Sequence, residues 1–457
     1  MRIYCNLPIV NRELPIMQAS SLYNGRMHIY FSGIGGAGIG PLAQIAHQAG
    51  YQVSGSDKQD SSYIQYLRKH GVTDIHIGQD YDSIAETYSK HPIDWFVYSS
   101  ALTLENPDAP EIKFCEEQNI KTSKRDELLN QILKDKKLKL IAVAGTHGKT
   151  TTTSLAIWLF KQLGIPVSYS VGAKISFGDM GQYDQGSEYF IYEADEFDRN
   201  FLAFEPYMSL ITGVSWDHHE IFPTREDYQD AFKEFIEQTV HTILWQEDND
   251  YLGLSEHPNI SSLDASKPDK AGVTLAGQYN RLDAWLVVQA VHQITKEPIK
   301  KLVDIVNQFP GLSRRMERII PNLYSDYAHT PEKIRGCMSV ALETAAQNGQ
   351  DVVVVYEPLT NRRQHYMMDD YQDCFDGAKQ LYWIPSYLAR EDPAQRVIPP
   401  AELITHLADP SFAQAMERDA QLKSTIQKHL DAGDMVVCMA GGGGGSLDDW
   451  LRENFTD

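Results

Sequence analysis

A chain of 457 residues, 42% of them hydrophobic, has the length for two to four domains, each with a core of its own. Its net charge of -21 at pH 7 argues against general nucleic-acid binding, which wants a basic face. Anionic small molecules stay open, because a local cation cluster or a helix N-terminus can hold a phosphate inside an acidic protein. The cysteines, Cys5, Cys115, Cys337, Cys374 and Cys438, are scattered, with no Cys-x-x-Cys pair, and read as free thiols of a reducing compartment. No apolar run reaches the roughly 18 residues of a membrane span, and the N-terminus lacks a signal-peptide core. The expectation is a cytoplasmic protein without stable membrane association, as monomer or homodimer.

In chain order, residues 1–26 match no motif and read as an N-terminal extension. From Arg26, "RMHIYFSGIGGAGIGPLAQIAHQAGYQVSGSD" predicts strand, glycine turn, helix and second strand, ending on Ser56 and Asp57. Gly33, Gly35 and Gly38 satisfy G-x-G-x-x-G, with Asp57 about twenty residues on, as in dinucleotide sites. The backbone chemistry says only that a diphosphate can approach closely, so an NAD-dependent oxidoreductase stays an alternative. Further alternation ("SSYIQYLRKHG", "DWFVYSSAL", "FCEEQNIK") leads to the lysine-rich "LLNQILKDKKLK", where a domain boundary is expected after residue 137.

The next unit opens with an apolar strand, then Gly145-Thr146-His147-Gly148-Lys149-Thr150, then the helix "TTTTSLAIWLFKQLG". That is the geometry of a phosphate loop. Backbone N–H groups and the helix dipole hold phosphate oxygens, Lys149 reaches the β/γ-phosphates, and Thr150 offers a hydroxyl to Mg2+. The strict pattern needs glycine at position 143, where the chain has Val143. "YEADEFD" supplies Glu193, Asp195, Glu196 and Asp198 behind a strand. They are placed to reach a nucleotide-bound Mg2+, or they form a solvated acidic turn. "VSWDHHEIFP" brings Asp217, His218 and His219. The helix "LDAWLVVQAVHQIT" ends this unit, and a third starts near "FPGLSRRMERI", with strands "LYSDYAH", "DVVVVYEP", "KQLYWIPS" and "DMVVCMAG". The run Gly441 to Gly445 reads as an anion-binding turn or a flexible loop. Strands alternating with helices throughout predict an α/β protein of three domains, 27–137, 138–310 and 311–457, each on a mainly parallel sheet.

"GTHGKTTTTS" closely resembles the shortened phosphate loop of the Mur ligases, which build the peptide stem of bacterial cell wall. The resemblance runs from about Met27 to the last strand. It implies a Rossmann-like UDP-sugar domain, a central P-loop ATPase domain and a Rossmann-like C-terminal domain that binds the amino acid. By that resemblance Gly33, Gly35, Gly36, Gly38, Ser56 and Asp57, with Ser99 and Ser100 of "VYSSAL", bind the UDP-sugar. Gly145, Thr146, His147, Gly148, Lys149, Thr150 and Thr151 bind ATP. Asn280 of "LAGQYNRLDA" joins them on the adenine side, with a helix N-cap as its alternative. Tyr279 and Asp283 stand in that motif where the family has histidine and asparagine. Arg315 and Asp326 complete the ATP set. Thr150, Glu193 and His218 match the Mg2+ site, and Lys149, His218 and His329 match the catalytic set. Arg362 or Arg363 is the candidate for the amino acid's carboxylate. The family's carbamylated lysine aligns on Phe232, and Lys233 is rotated about 100° away, so no carbamate is expected. The implied activity is ATP-driven amide-bond formation. The lactyl carboxylate of UDP-N-acetylmuramate takes the γ-phosphoryl group, and an amine then attacks the acyl phosphate as the C-terminal domain closes. L-alanine is the expected amine. "DHHEIFP" leans towards a recycled tripeptide, and Thr330 in "YAHTP" resembles the branch that adds lysine or diaminopimelate.

Overall fold

The computed structural model describes residues 26–456, apart from 100–101, 103–105, 107, 219–220, 256, 389–390 and 392–393. The expected extension, except Arg26, and the positions Ser100 and His219 therefore lie outside the described residues. Three sheets carry the molecule, and parallel pairing dominates in each. The described residues form two compact units that divide at Leu128 and Leu129, within the helix Arg125–Lys136.

The first unit holds β1 (His28–Ser32), β2 (Gln52–Asp57), β3 (Ile75–Ile77), β4 (Trp95–Tyr98) and β5 (Lys121–Lys124), in the order β3-β2-β1-β4-β5. All four pairings are parallel. The order reverses at β1, and such a switch point opens a crevice at the carboxyl ends of the strands. The glycine turn sits there, directly after β1.

The second unit contains the other two sheets. One comprises β6 (Lys139–Ala144), β7 (Val167–Ser170), β8 (Gly181–Gln182), β9 (Tyr189–Glu193), β10 (Met208–Ile211), β11 (Thr242–Trp245) and β12 (Ile260–Leu263). Its order is β12-β11-β10-β6-β9-β7-β8, antiparallel only at β7–β8. β6 is central, and its last five residues are buried. A parallel strand covered on both faces is apolar throughout rather than alternating, as "LIAVA" is. The helices Lys149–Gln162 and Gln278–Thr295 pack a shared core against it, including Leu155, Leu159, Leu286 and Val287. The last sheet comprises β13 (Glu317–Ile320), β14 (Leu323–Asp326), β15 (Val352–Glu357), β16 (Gln380–Trp383), β17 (Ala413–Ala415) and β18 (Met435–Ala440). It is ordered β13-β14-β18-β15-β16-β17, antiparallel only at β13–β14. Tyr356, Tyr371, Phe375 and Trp383 interlock in its core with ring centroids 5.1–6.0 Å apart.

One carboxylate ties these two sheets. Glu343, on the helix Pro331–Asn348 of the last sheet, accepts the Gly277 N–H at 2.9 Å and the Arg281 guanidinium at 2.8 Å. Cys115, Cys337, Cys374 and Cys438 are free and buried, as the scattered spacing suggested. Among the described residues no helix is long and apolar enough to cross a membrane.

Candidate active site

In the first unit the glycine turn is braced from below. Gly33 and Ile34 donate their N–H groups to the Ser56 carbonyl at 2.8 and 3.0 Å, and Gly36 donates to Gly33 at 3.0 Å. Asp57 accepts the Gly35 N–H at 2.8 Å, so this acid grips the turn itself. Ser99 stands beside Gly33, and a Cβ on Gly38 would run into the Arg125 guanidinium. Arg125, which the sequence reading passed over, thus sets a cation against the turn. Glu111 lies fully buried beneath. It accepts from Ser32, Ser56 and Tyr30, the first at 2.5 Å and the last at 3.1 Å. Burial pushes its carboxyl upward against these three donors.

The second glycine turn joins β6 to the helix Lys149–Gln162. Gly145 (φ +134°) and Gly148 (φ +79°) hold conformations that a side chain resists. A Cβ on Gly145 would also collide with the Thr212 hydroxyl and the Gly213 carbonyl. Thr146 donates to Ser215 at 2.8 Å and pairs with the Tyr228 hydroxyl at 2.8 Å, pinning the turn to the loop after β10. Thr212 hydrogen-bonds the His147 carbonyl. Gly148 caps the helix without any side chain, which leaves the N-terminus open. Open N–H groups at a positive helix end suit phosphate oxygens. Thr150 and Thr151 follow in the first helical turn. Under Gly148 lies Asp283, whose carboxyl burial pushes well above its ordinary range.

The acidic string after β9 divides by burial. Lys149 Nζ donates to Glu196 at 2.7 Å and to the Gly145 carbonyl at 2.6 Å. Glu196 is fully buried; its Oε1 lacks a hydrogen-bond partner and faces His218 Nε2 at 3.6 Å. Burial raises this carboxyl, but His218 and the Lys149 charge outweigh it and hold Glu196 below its usual range. Glu196 in turn raises His218. Glu193 instead accepts the Thr150 hydroxyl at 2.8 Å and the Gly172 N–H at 2.9 Å. Thr150 and Glu193 are therefore adjacent, whereas His218 sits on Glu196, a residue that the sequence reading left undistinguished. No cluster of three His, Cys, Asp or Glu ligands occurs among the described residues. The oxygens present do fit Mg2+, which takes one or two carboxylates and completes its shell with water and phosphate. Phe232 is buried against Phe201 and Tyr228, and Lys233 pairs with Asp230 at 3.0 Å.

The third sheet contributes a cationic wall. The Arg315 guanidinium lies 5.4 Å from the Tyr327 ring centre, and His329 meets the same ring at 4.8 Å. His329 Nδ1 donates to the Tyr327 carbonyl at 2.7 Å, which leaves Nε2 as an acceptor. Burial, aided by Lys333, pushes this imidazole down to about 3, so it is neutral at physiological pH. Arg363 adds to that field, and Arg362 donates its backbone N–H to Glu391 at 3.1 Å. Asp326 gives its two oxygens to the Met316 and Ala328 N–H groups, each at 2.8 Å, and so fixes the crossing of the chain beside Arg315. Asn280 is not the helix N-cap: Gly277 holds that position, and Asn280 donates to the Ala276 carbonyl at 2.7 Å. The glycine run after β18 is a packed turn. Gly441 lies against the His329 ring, Arg314 binds the Ala440 and Gly442 carbonyls, and Tyr387 binds Gly444. Glu357 already accepts the Leu447 N–H at the start of the following helix, which disfavours an anion there.

The profile of the Mur ligase family's catalytic domain matches residues 28–137, and that of the Mur ligase middle domain matches residues 143–290. A curated relative, the UDP-N-acetylmuramate–L-alanine ligase of Rickettsia massiliae, is 28% identical over 91% of this chain and 92% of its own length. The crystal structure of the UDP-N-acetylmuramate–alanine ligase of Thermotoga maritima is 22% identical, with a TM-score of 0.71 over 94% of this chain and 98% of that one. A murein peptide ligase of Psychrobacter arcticus is 21% identical and superposes with a TM-score of 0.62 over 94% of this chain and 99% of its own. Two family profiles spanning more than half of the sequence, on the two units that carry the glycine turns, establish that the chain belongs to the Mur ligase family.

Proposed function

We propose that this protein is an ATP-dependent ligase that joins L-alanine to the lactyl carboxylate of UDP-N-acetylmuramate through an acyl phosphate. The observation that carries the reading is the open phosphate turn with Lys149 on a buried glutamate, in a chain aligned almost end to end with relatives named for that reaction. We assign sugar-nucleotide binding to residues 27–137, with Gly33, Gly35, Gly36, Gly38, Ser56, Asp57, Ser99 and Arg125. ATP binding falls to 138–310 and the amino acid to 311–457. The setting is the cytoplasm.

Phosphoryl transfer asks the protein mainly for positioning and charge. The N-terminus of the helix Lys149–Gln162 and the N–H groups of the turn take the nucleotide phosphates. Lys149 exchanges the Gly145 carbonyl for a phosphate oxygen, while Glu196, held by His218, keeps the ammonium aimed. Bound at Thr150 and Glu193, Mg2+ would neutralise charge across the phosphates. Arg315 faces the same phosphates from the third sheet. Arg363 clamps the amino acid's carboxylate, and the neutral His329 accepts an N–H from the attacking amine through Nε2.

The test is phosphate release from ATP with UDP-N-acetylmuramate and each amino acid or the tripeptide. Release is expected only with sugar nucleotide and amine together, best with L-alanine and measurable with glycine and L-serine. A hydrophobic pocket gains only about 1–3 kcal/mol of discrimination per methylene. Higher kcat/KM with the tripeptide reassigns the amine, and NADH oxidation without ATP turnover overturns the ligase. Lys149→Ala is expected to abolish ligation while sparing UDP-sugar affinity, because the two glycine turns lie in separate compact units.

A further inference from the structure

Asp283 stands where a negative charge is least welcome. It belongs to the helix Gln278–Thr295 and packs beneath the phosphate turn: a Cβ on Gly148 would lie 2.7 and 2.9 Å from its two carboxyl oxygens. The residue is only 5% exposed. The two helices that meet here carry the cations Lys149, Lys161 and Arg281, and each is engaged elsewhere. Lys149 holds Glu196 at 2.7 Å, Lys161 the Phe177 carbonyl at 2.9 Å, and Arg281 holds Glu343 at 2.8 Å. His147 of the turn is lowered chiefly by burial, and His292 binds the Glu297 carbonyl at 2.7 Å. Among the described residues no ion pair reaches Asp283. Burial raises its carboxyl, and the Thr152 hydroxyl alone works against that; this hydroxyl is itself buried with no other partner among the described residues. A buried carboxyl without a counter-charge sheds its charge by keeping its proton.

We propose that Asp283 works as a neutral acid beneath the phosphate turn, sharing a hydrogen bond with Thr152 and propping Gly148 for the nucleotide phosphates. The ligand favours the neutral form. The open end of the helix Lys149–Gln162 draws phosphate through its N–H groups and its positive pole. An ionised carboxylate against Gly148 would oppose both, whereas a protonated one fills the same space without that field. The proton also gives each of the two buried groups a partner. Asp283 meets no reacting atom, so it is a positioning residue. The inference rests on the nucleotide reading of the turn, and its test separates the two.

Infrared difference spectra between the full-length protein and Asp283→Asn, near neutral pH, report the proton directly. The carbonyl stretch of a protonated carboxylic acid is expected in the unaltered protein and not in the variant, and it should persist when Mg-ADP is added. A carboxylate band in its place, or loss of the acid band on binding, overturns the proposal. Calorimetric titration of Mg-ADP gives the functional arm. Asp283→Asn, neutral and of the same shape, should keep affinity within about threefold, and Asp283→Ala should weaken it roughly tenfold, the scale of one lost hydrogen bond. Equal affinity in all three proteins overturns the positioning role, as does a loss in Asp283→Asn as large as in Asp283→Ala. Should Asp283→Ala not fold, the infrared band and the Asp283→Asn affinity still decide. If Mg-ADP binds none of these proteins while the acid band is present, the nucleotide reading falls and the buried neutral acid stands.

Discussion

The pair between Lys149 and Glu196 lends itself to a quantitative prediction. The carboxylate side chain is 0% exposed and the ammonium side chain 14%, with 2.7 Å between them. Removing one member of a buried pair costs about 3–5 kcal/mol, because the survivor stays buried and uncompensated. The two members are not equivalent. Without Glu196, Lys149 keeps the Gly145 carbonyl at 2.6 Å and some solvent. Without Lys149, Glu196 keeps only His218 at 3.6 Å, and its Oε1 is already unbonded. Lys149→Met should therefore cost about 3–5 kcal/mol and Glu196→Gln about 2 kcal/mol, the cost of one charged hydrogen bond. The double variant should lose less than the sum, with a coupling of about 2 kcal/mol or more. At about 2–4 °C per kcal/mol for cooperative blocks of 150–250 residues, Lys149→Met should lower the Tm by roughly 6–20 °C. Thermal unfolding of the four proteins at pH 7.5 measures the cycle. Losses that add within about 0.5 kcal/mol would refute the claim that the two charges hold each other.

Four further outcomes follow from the geometry. Gly145→Ala forces a side chain into φ +134° against Thr212, and should cost about 1–3 kcal/mol in strain and abolish nucleotide binding, read by Tm and ATP titration. His329 is depressed to about 3 from 6.5, so the unfolded chain takes up a proton that the folded one refuses. Between those values stability should fall by about 1.4 kcal/mol per unit as pH drops, and His329→Gln should flatten that slope. His218 is raised by Glu196, so its contribution is full below 6.5 and fades as pH rises through its elevated value; His218→Gln should destabilise at pH 6 and scarcely at pH 9. Glu343→Ala removes both acceptors across the second and third sheets and should raise KM for the amino acid more than it lowers Tm, an outcome that steady-state kinetics can contradict.

The phosphate turn was legible because it is written in backbone requirements: two glycines at positive φ, then lysine and threonine on a helix. Val143 broke the strict pattern without changing that geometry, since it lies inside β6 rather than in the turn. The parallel sheets were legible for a similar reason, their buried strands being continuous apolar runs. Residues chosen by tertiary burial escaped. Glu196 looks like Glu193, Asp195 and Asp198 in sequence, and only the packing decides which acid meets the lysine. Asn280 has the chemistry of a cap, but Gly277, at φ +85°, takes the turn into the helix three residues earlier. The glycine run after β18 suggested freedom, and instead small size lets His329, Tyr387 and Arg314 approach the backbone.

The buried cysteines equip the protein with an internal clock. Burial pushes the thiols of Cys115 and Cys374 up to about 12, and those of Cys337 and Cys438 upward as well. A thiol that is both covered and protonated is inert to alkylation, so each of these four reacts only when its surroundings open. Cys115 belongs to the first compact unit and the other three to the second. Mass-resolved alkylation over time would therefore date the opening of each unit separately, in the unmodified sequence. Slowing at Cys337, Cys374 and Cys438 under added nucleotide, with Cys115 unaffected, would locate the ligand without a label or a mutation.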